Sequence, residues 1–416
     1  MDDLSLAVQL VETGQYEAGL AKIKAILSEA DDETAYQIAT LYSEWGLAEE
    51  AFHILKNLHR SHPSDSNILL ILAETAIDLD KEDDAIGWLA QIHRLDDNYL
   101  SAQVLLADLY QAQGLEEAAE NRLLAARKMA PHEPVLAFAL GEFYLSTGKP
   151  QQALSFYQEV LHAETLSHEN IHLKLAEALS MSGRFEEAMI HYRKGLDREK
   201  TLDGLFGYAV TAIRIEKYQT AISALEELKA LDPQYSTLYP LLAEAYLHEG
   251  ANDEALEVLE AGMKIDDFNE RLFLDAADVA VKNGDPAMAE TYLERLLEKN
   301  PEQTEGLKKL VELKREREAY TDVIRLLGEE AAIDPELRWY LAKAYQEEEE
   351  LPQALEQYEA SYAHYRKDPD FLADFGEALW QAGERDKASK ILRESLNVDP
   401  ENHQLREFVE RIEQDF

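Results

Sequence analysis

An all-α array of stacked helical hairpins is the fold class that this sequence predicts, and three observations predict it. The first is the stretch from Asn98 to Pro131, which reads as two amphipathic helices around a turn at Gly114, closed by a proline. Its apolar Val104, Leu105 and Leu109, then Leu123 and Leu124, recur at helical spacing. The second is that the unit returns: Leu106-Ala107-Asp108-Leu109-Tyr110 comes back as Leu242-Ala243-Glu244-Ala245-Tyr246. The third is a beat of about 34 residues, or small multiples of it, kept by Gly14, Gly46, Gly114, Gly148, Gly183, Gly250, Gly284 and Gly383. Small residues keep it too, from Ala7, Ala39, Ala73, Ala107 and Gly141 to Gly376 in first helices, and from Ala51 and Ala85 to Ala388 in second helices. Two short helices are marginal alone in water, so each unit is stable only against its neighbours.

Taken in order, Asp2 and Asp3 suit the N-terminus of the first helix. Gly19 replaces the alanine of other second helices, which predicts looser packing there, with Leu4, Leu6 or Leu10 on a partly exposed flank. Units from about residue 32 to 131 follow, with Asp80 in a glycine slot, where aspartate tolerates the left-handed conformation. From Pro134 to Glu199 the pattern holds without closing prolines, and between Thr201 and Pro301 it returns to type, with Glu216 in a glycine slot. Prolines 63, 131, 233, 301, 335 and 400 mark unit boundaries, where they stop a helix at little cost.

Residues 302–335 diverge. Val311 and Val323 stand at the two small-residue positions, where branched bulk predicts helices pushed apart. The turn Arg317-Glu318-Ala319-Tyr320 has no glycine, and Lys308, Lys309, Lys314, Arg315 and Arg317 make the segment basic. It reads either as a joint between an array at 1–301 and repeats at 336–400, or as a merely divergent repeat. Residues 401–416 read as a capping helix with Leu405, Phe408, Val409 and Ile412 on one stripe.

The unit resembles the tetratricopeptide repeat (TPR), whose small residues, turn glycine, aromatic and terminal proline are all matched in Asn98–Pro131. About twelve such units cover nearly the whole chain. The resemblance implies an α-solenoid, a right-handed superhelix of hairpins whose first helices line a concave groove. The chain, with its ending Arg411-Ile412-Glu413-Gln414-Asp415-Phe416, is also similar to the YpiA-type cytoplasmic repeat proteins of Bacillus-like bacteria, a likeness that brings no catalytic motif.

Composition narrows the partners. Lys plus Arg number 40 against 83 Asp plus Glu, a formal net charge of −43. Such a polyanion is repelled by phosphate backbones and anionic lipid, so neither nucleic acid nor a membrane surface is expected. The same charge discourages non-specific self-association, and the sequence leaves the oligomeric state open between a monomer and a weak dimer. There is no cysteine, hence no disulfide or thiolate chemistry. The acidic start Met1-Asp2-Asp3 lacks the basic region of a signal peptide, and a cytoplasmic protein is expected. No phosphate loop or dinucleotide fingerprint occurs, so the chain is read as a non-enzyme without a cofactor. His168 and His172, four apart with His162 nearby, have the spacing of two metal ligands but no accompanying signature, and read as surface histidines.

The candidate site follows from helical geometry. If the small residue of each first helix is a marker, the residue after it, the one three before and the one four after share a face. The residue after is acidic at Glu74, Asp108, Glu142, Glu177, Glu244, Asp278, Glu312 and Glu377. The residue three before is apolar at Tyr36, Phe138, Phe206 and Trp339, and the residue four after adds Trp380. If the repeat geometry holds, this face lines the groove. Tyr36, Asp108, Phe138, Glu142, Glu177, Phe206, Glu244, Asp278, Trp339 and Trp380 are therefore the candidate binding residues. A carboxylate ladder between apolar pockets suits a protein or peptide segment with basic and apolar residues. It does not suit an acidic chaperone tail, unless the basic 308–317 segment captures one alone. The alternative is a ligand-responsive regulator whose superhelix changes pitch on binding a short peptide.

Overall fold

The computed structural model describes residues 3–328 and 334–414, with side chains as far as Arg411. Asp2, the side chain of Ile412 and residues 415–416, all used above, lie outside it. The described residues contain twenty-five α-helices, a 3-10 turn at Glu164–Leu166 and no strand. They fall into two compact units that meet in sequence at Glu216 and Lys217. The first holds six hairpins, from Asp3–Glu12 with Tyr16–Leu27 to Ile171–Met181 with Phe185–Arg198, and then the helix Leu202–Arg214. The second opens with Tyr218–Leu231 and holds five hairpins, from Leu238–His248 with Asn252–Ile265 to Pro369–Gln381 with Arg385–Val398. Its last helix, His403–Gln414, packs Leu405 and Val409 on Leu392.

Each turn is set by one residue in the left-handed region, from Gly14 at φ 85° to Gly383 at φ 80°. The N–H after it bonds the carbonyl five residues back, as from Leu47 to Tyr42 and from Leu115 to Tyr110, each at 2.8 Å. This closes the orphan carbonyls of the first helix. Asp80, Glu216, Glu318 and Glu349 take the same conformation in the glycine-free turns, at φ 55–58°. Pro335 differs from the expectation. It opens the helix Pro335–Glu347, where a missing N–H costs nothing, while Pro63, Pro131, Pro233, Pro301 and Pro400 lie in turns.

The core is a series of overlapping clusters, each drawn from neighbouring hairpins. One joins Leu123, Leu140, Tyr157, Leu175 and Tyr192 along three successive hairpins of the first unit. Gly19 does not loosen its hairpin. A Cβ there would lie 2.5 Å from Val11 Cγ2 and 3.0 Å from the Ala7 carbonyl oxygen, so the helices approach more closely than alanine permits. In the divergent repeat Val311 and Val323 are both fully buried, beside Leu307, Leu327 and Leu341, and the second helix is the short Tyr320–Leu327.

Candidate functional site

In every first helix the marker faces the core, and the predicted stripe is mostly more exposed, though Leu145, four after Gly141, is buried. Ala39, Ala73 and Ala107 are at most 1% exposed, whereas all ten candidate residues are half-buried or exposed. The 3.6-residue period makes this separation, because residues one, three and four positions away fall on the neighbouring face.

In the first unit the acidic rungs sense one another along successive hairpins. Burial raises the Asp108 carboxyl and Glu142 raises it further. Glu177 is likewise raised by desolvation, against the pull of Lys174. Desolvation and then Asp78 raise Glu74. Asp108 and Glu177 are nonetheless exposed to water. Glu142 differs, accepting from Lys174 Nζ at 2.6 Å and from the Tyr157 hydroxyl. Phe138 lies against Tyr157, ring centroids 6.1 Å apart, and Phe206 is half-buried. Neither Glu74 nor Asp108 has an ion-pair partner among the described residues.

Tyr36 sits where the acidity stops. It lines a pocket of about 550 Å³ with Leu4, Val8, Gln9, Gln37 and Thr40, in which Val8 and Thr40 occupy the positions that are acidic in later repeats. Sequence reasoning placed Tyr36 on the groove face and Leu4 on an exposed flank but did not join them, because Val8 and Thr40 are two of the four residues after a marker that are not acidic.

In the second unit two of the four acidic rungs are neutralised, while Glu312 and Glu377 form no ion pair among the described residues. Glu244 accepts from Arg271 Nη2 at 2.9 Å, and Asp278 accepts from Lys309 Nζ at 2.5 Å. Further along the polarity reverses: Lys343 Nζ donates to Asp374 Oδ2 at 2.9 Å, and Trp339 Nε1 donates to the same carboxylate at 3.0 Å. Trp380 packs edge-on to Phe408, with the Arg385 guanidinium 5.2 Å from its ring centroid. The basic 308–317 segment is also engaged. Lys308 pairs with Asp334 and Glu336, Lys314 with Glu290 and Glu294, and Arg317 with Glu290. The partners Lys174, Lys309 and Asp374 each stand two residues before a marker, one groove stripe beyond the three positions scanned.

His168 is exposed, as the sequence reading has it, while His172 is half-buried. His168 precedes the helix Ile171–Met181, so His168 and His172 share no helical face. Instead His172 Nδ1 lies 3.0 Å from His191 Nδ1, and burial lowers both imidazoles. Among the described residues no group of three His, Cys, Asp or Glu side chains is placed to hold a metal, and no helix is long and apolar enough to cross a membrane.

Comparison with known proteins matches this architecture in sequence. YpiA-like tetratricopeptide repeats match residues 111–165, and YpiA-like C-terminal tetratricopeptide repeats match residues 335–402. General tetratricopeptide-repeat models match 215–273 and 274–336. The TPR repeat-containing protein YpiA of Bacillus subtilis is 36% identical over 414 residues, which span 99% of this chain and 98% of that one. The chain belongs to the YpiA family of tetratricopeptide-repeat proteins. A TPR protein of Caenorhabditis elegans, trd-1, is 22% identical over 46% of this chain and 24% of its own length. Among solved structures, YrrB, described as a TPR protein with an unusual peptide-binding site, aligns over 45% of this chain and 96% of its own. Its TM-score is 0.40 at 16% identity. MamA aligns over 40% of this chain and 97% of its own, with TM-score 0.37 at 23% identity.

Proposed function

We propose that this YpiA-family protein is a non-catalytic, cytoplasmic scaffold that holds a protein or peptide segment against the first helices of its first unit. The observation that carries the reading is the unneutralised part of the ladder. Glu74, Asp108 and Glu177 keep raised carboxyls in crowded surroundings, beside half-buried apolar residues such as Phe138. A lysine or arginine of a bound segment supplies the charge that Lys309 and Arg271 supply within the second unit. Apolar side chains of the segment fit between the rungs and into the pocket at Tyr36, whose lining carries one carboxylate, Glu12. The acidic field speeds encounter and fixes register more than it adds affinity.

The test starts from partners captured on the immobilised protein and continues with their binding segments in solution. Asp108→Lys with Glu177→Lys is expected to weaken binding about tenfold or more, and the wild-type affinity to fall with added salt. Asp278→Asn, which changes a rung already paired to Lys309, is expected to have a smaller effect. A captured partner whose affinity ignores both the reversals and the salt removes the ladder from recognition.

A further inference from the structure

A second candidate site lies on the side of the second helices, between Tyr16–Leu27 and Ala48–Ser61. A pocket of about 350 Å³ there is lined by Lys24 and Leu27 from one helix and by Glu49, Glu50, His53 and Ile54 from the other. Tyr42, from the helix Asp32–Glu44, also lines it. Tyr42 is 2% exposed, and its hydroxyl is buried with no hydrogen-bond partner. A buried hydroxyl left unpaired is costly, so this one stands out.

Comparison between repeats explains the missing partner. Tyr42, Tyr144 and Tyr246 each follow their marker by three residues. Tyr144 donates to Glu120 at 2.7 Å, and Tyr246 donates to Glu226 at 3.1 Å. Both acceptors lie on the preceding second helix, one and five residues after its small residue (Ala119 and Ala221). Counted from Gly19, those positions hold Leu20 and Lys24. The second repeat therefore lacks a carboxylate that two other repeats provide, and a lysine stands in its register. Lys24, Glu49 and Glu50 form no ion pair among the described residues, although all three border the pocket.

We propose that this pocket binds a small zwitterion, an α-amino acid with an aliphatic side chain. Its carboxylate accepts from the Tyr42 hydroxyl and pairs with Lys24, in the place of the missing glutamate. Its ammonium group pairs with Glu49 and Glu50, which also sit in the first turn of Ala48–Ser61. The aliphatic side chain lies on Leu27 and Ile54. The volume is at the small end of ligand pockets, which excludes a long peptide.

The test is titration of the full chain with L-leucine by calorimetry, with isovalerate and isopentylamine as probes that each lack one charge. Leucine is expected to bind, and each half-charged probe to bind at least about tenfold more weakly, since a hydrogen bond to a charged group is lost. Tyr42→Phe keeps the ring and removes only the unpaired hydroxyl, so it should fold at least as well while losing about tenfold in affinity. Lys24→Glu places a carboxylate in the Glu226 register; it should raise the melting temperature and abolish binding. Leucine that fails to bind at about 10 mM, beyond the weak limit of specific affinity, overturns the proposal. So does a Tyr42→Phe protein that binds leucine as the wild type does, or a Lys24→Glu protein that still binds.

Discussion

At Gly376 a single hydrogen in place of a methyl sets how closely two helices pack. A Cβ there would lie 2.4 Å from Leu392 Cδ2 and 2.5 Å from Leu392 Cγ. Alanine holds the same position in most other first helices, so repeat-wise reasoning treats Gly376→Ala as harmless. Overpacking argues otherwise, and the substitution should cost about 1–3 kcal/mol, seen as a lower midpoint in denaturant. The left-handed turn residues predict the opposite sign. Glu349 sits at φ 58° and Asp80 at φ 55°. Glycine at either relieves the strain of a side chain in that region, offset in part by unfolded-state entropy. Glu349→Gly should gain a few tenths to about 1 kcal/mol, and Asp80→Gly less, because aspartate tolerates the conformation better. Thermal melts that reverse this order would assign the strain elsewhere. The glycine slots themselves were legible in the sequence from their spacing. Whether a slot needs glycine or accepts alanine was not, because that depends on which neighbouring side chain, such as Leu392 or Val11, reaches into it.

Between elements, the rungs link first helices one hairpin apart. Glu142 pairs with Lys174, and Lys343 pairs with Asp374 in the same register with the charges exchanged. If the register matters and the sign does not, Lys343→Asp and Asp374→Lys should each destabilise, since each sets like charges side by side. The double variant Lys343→Asp/Asp374→Lys should recover most of the loss. Partly exposed pairs of this kind couple by about 0.5–1 kcal/mol, which a double-mutant cycle in denaturant resolves. A double variant no better than the sum of the singles would show that the rung does not join the hairpins. The ladder was visible in the sequence because its carboxylates recur directly after the marker. Its partners were not, since Lys174, Lys309 and Asp374 stand on the adjoining stripe, Arg271 stands further along its helix, and Asp374 reverses the sign. The histidine pair was hidden for a related reason: His172 and His191 meet across a hairpin, and spacing along one helix cannot show that.

Across the whole molecule, the excess of carboxylates couples stability to pH with a definite sign. Glu74, Asp108 and Glu177 in the first unit and Asp275 in the second have carboxyls raised chiefly by desolvation. A raised carboxyl binds its proton more tightly in the fold than in the unfolded chain, so stability falls as pH rises through the interval between the two values. The stabilisation is regained on acidification, and protonation also relieves the self-repulsion of a net charge of −43. Other groups oppose this at lower pH. Side-chain hydrogen bonds from Thr34, Ser66 and Arg184 hold Asp31, Asp96 and Glu187 below the ordinary carboxylate range, and the stability they contribute is lost as pH falls through those lowered values. His172 and His191, lowered by burial, begin to cost stability once pH drops below the usual imidazole value. The melting temperature at low salt should therefore rise as pH is lowered from 8, reach a maximum on the acid side of neutrality at about pH 5–6, and fall below it. Asp108→Asn with Glu177→Gln should flatten the rising limb, by well under about 1 kcal/mol because solvent screens both groups. Salt of about 0.5 M should flatten it further by shortening the Debye length. A melting temperature that does not rise as pH is lowered toward the ordinary carboxylate range would mean that the ladder's carboxylates are not strained by their surroundings. Without that strain, a cationic ligand would have no electrostatic cost to relieve on binding.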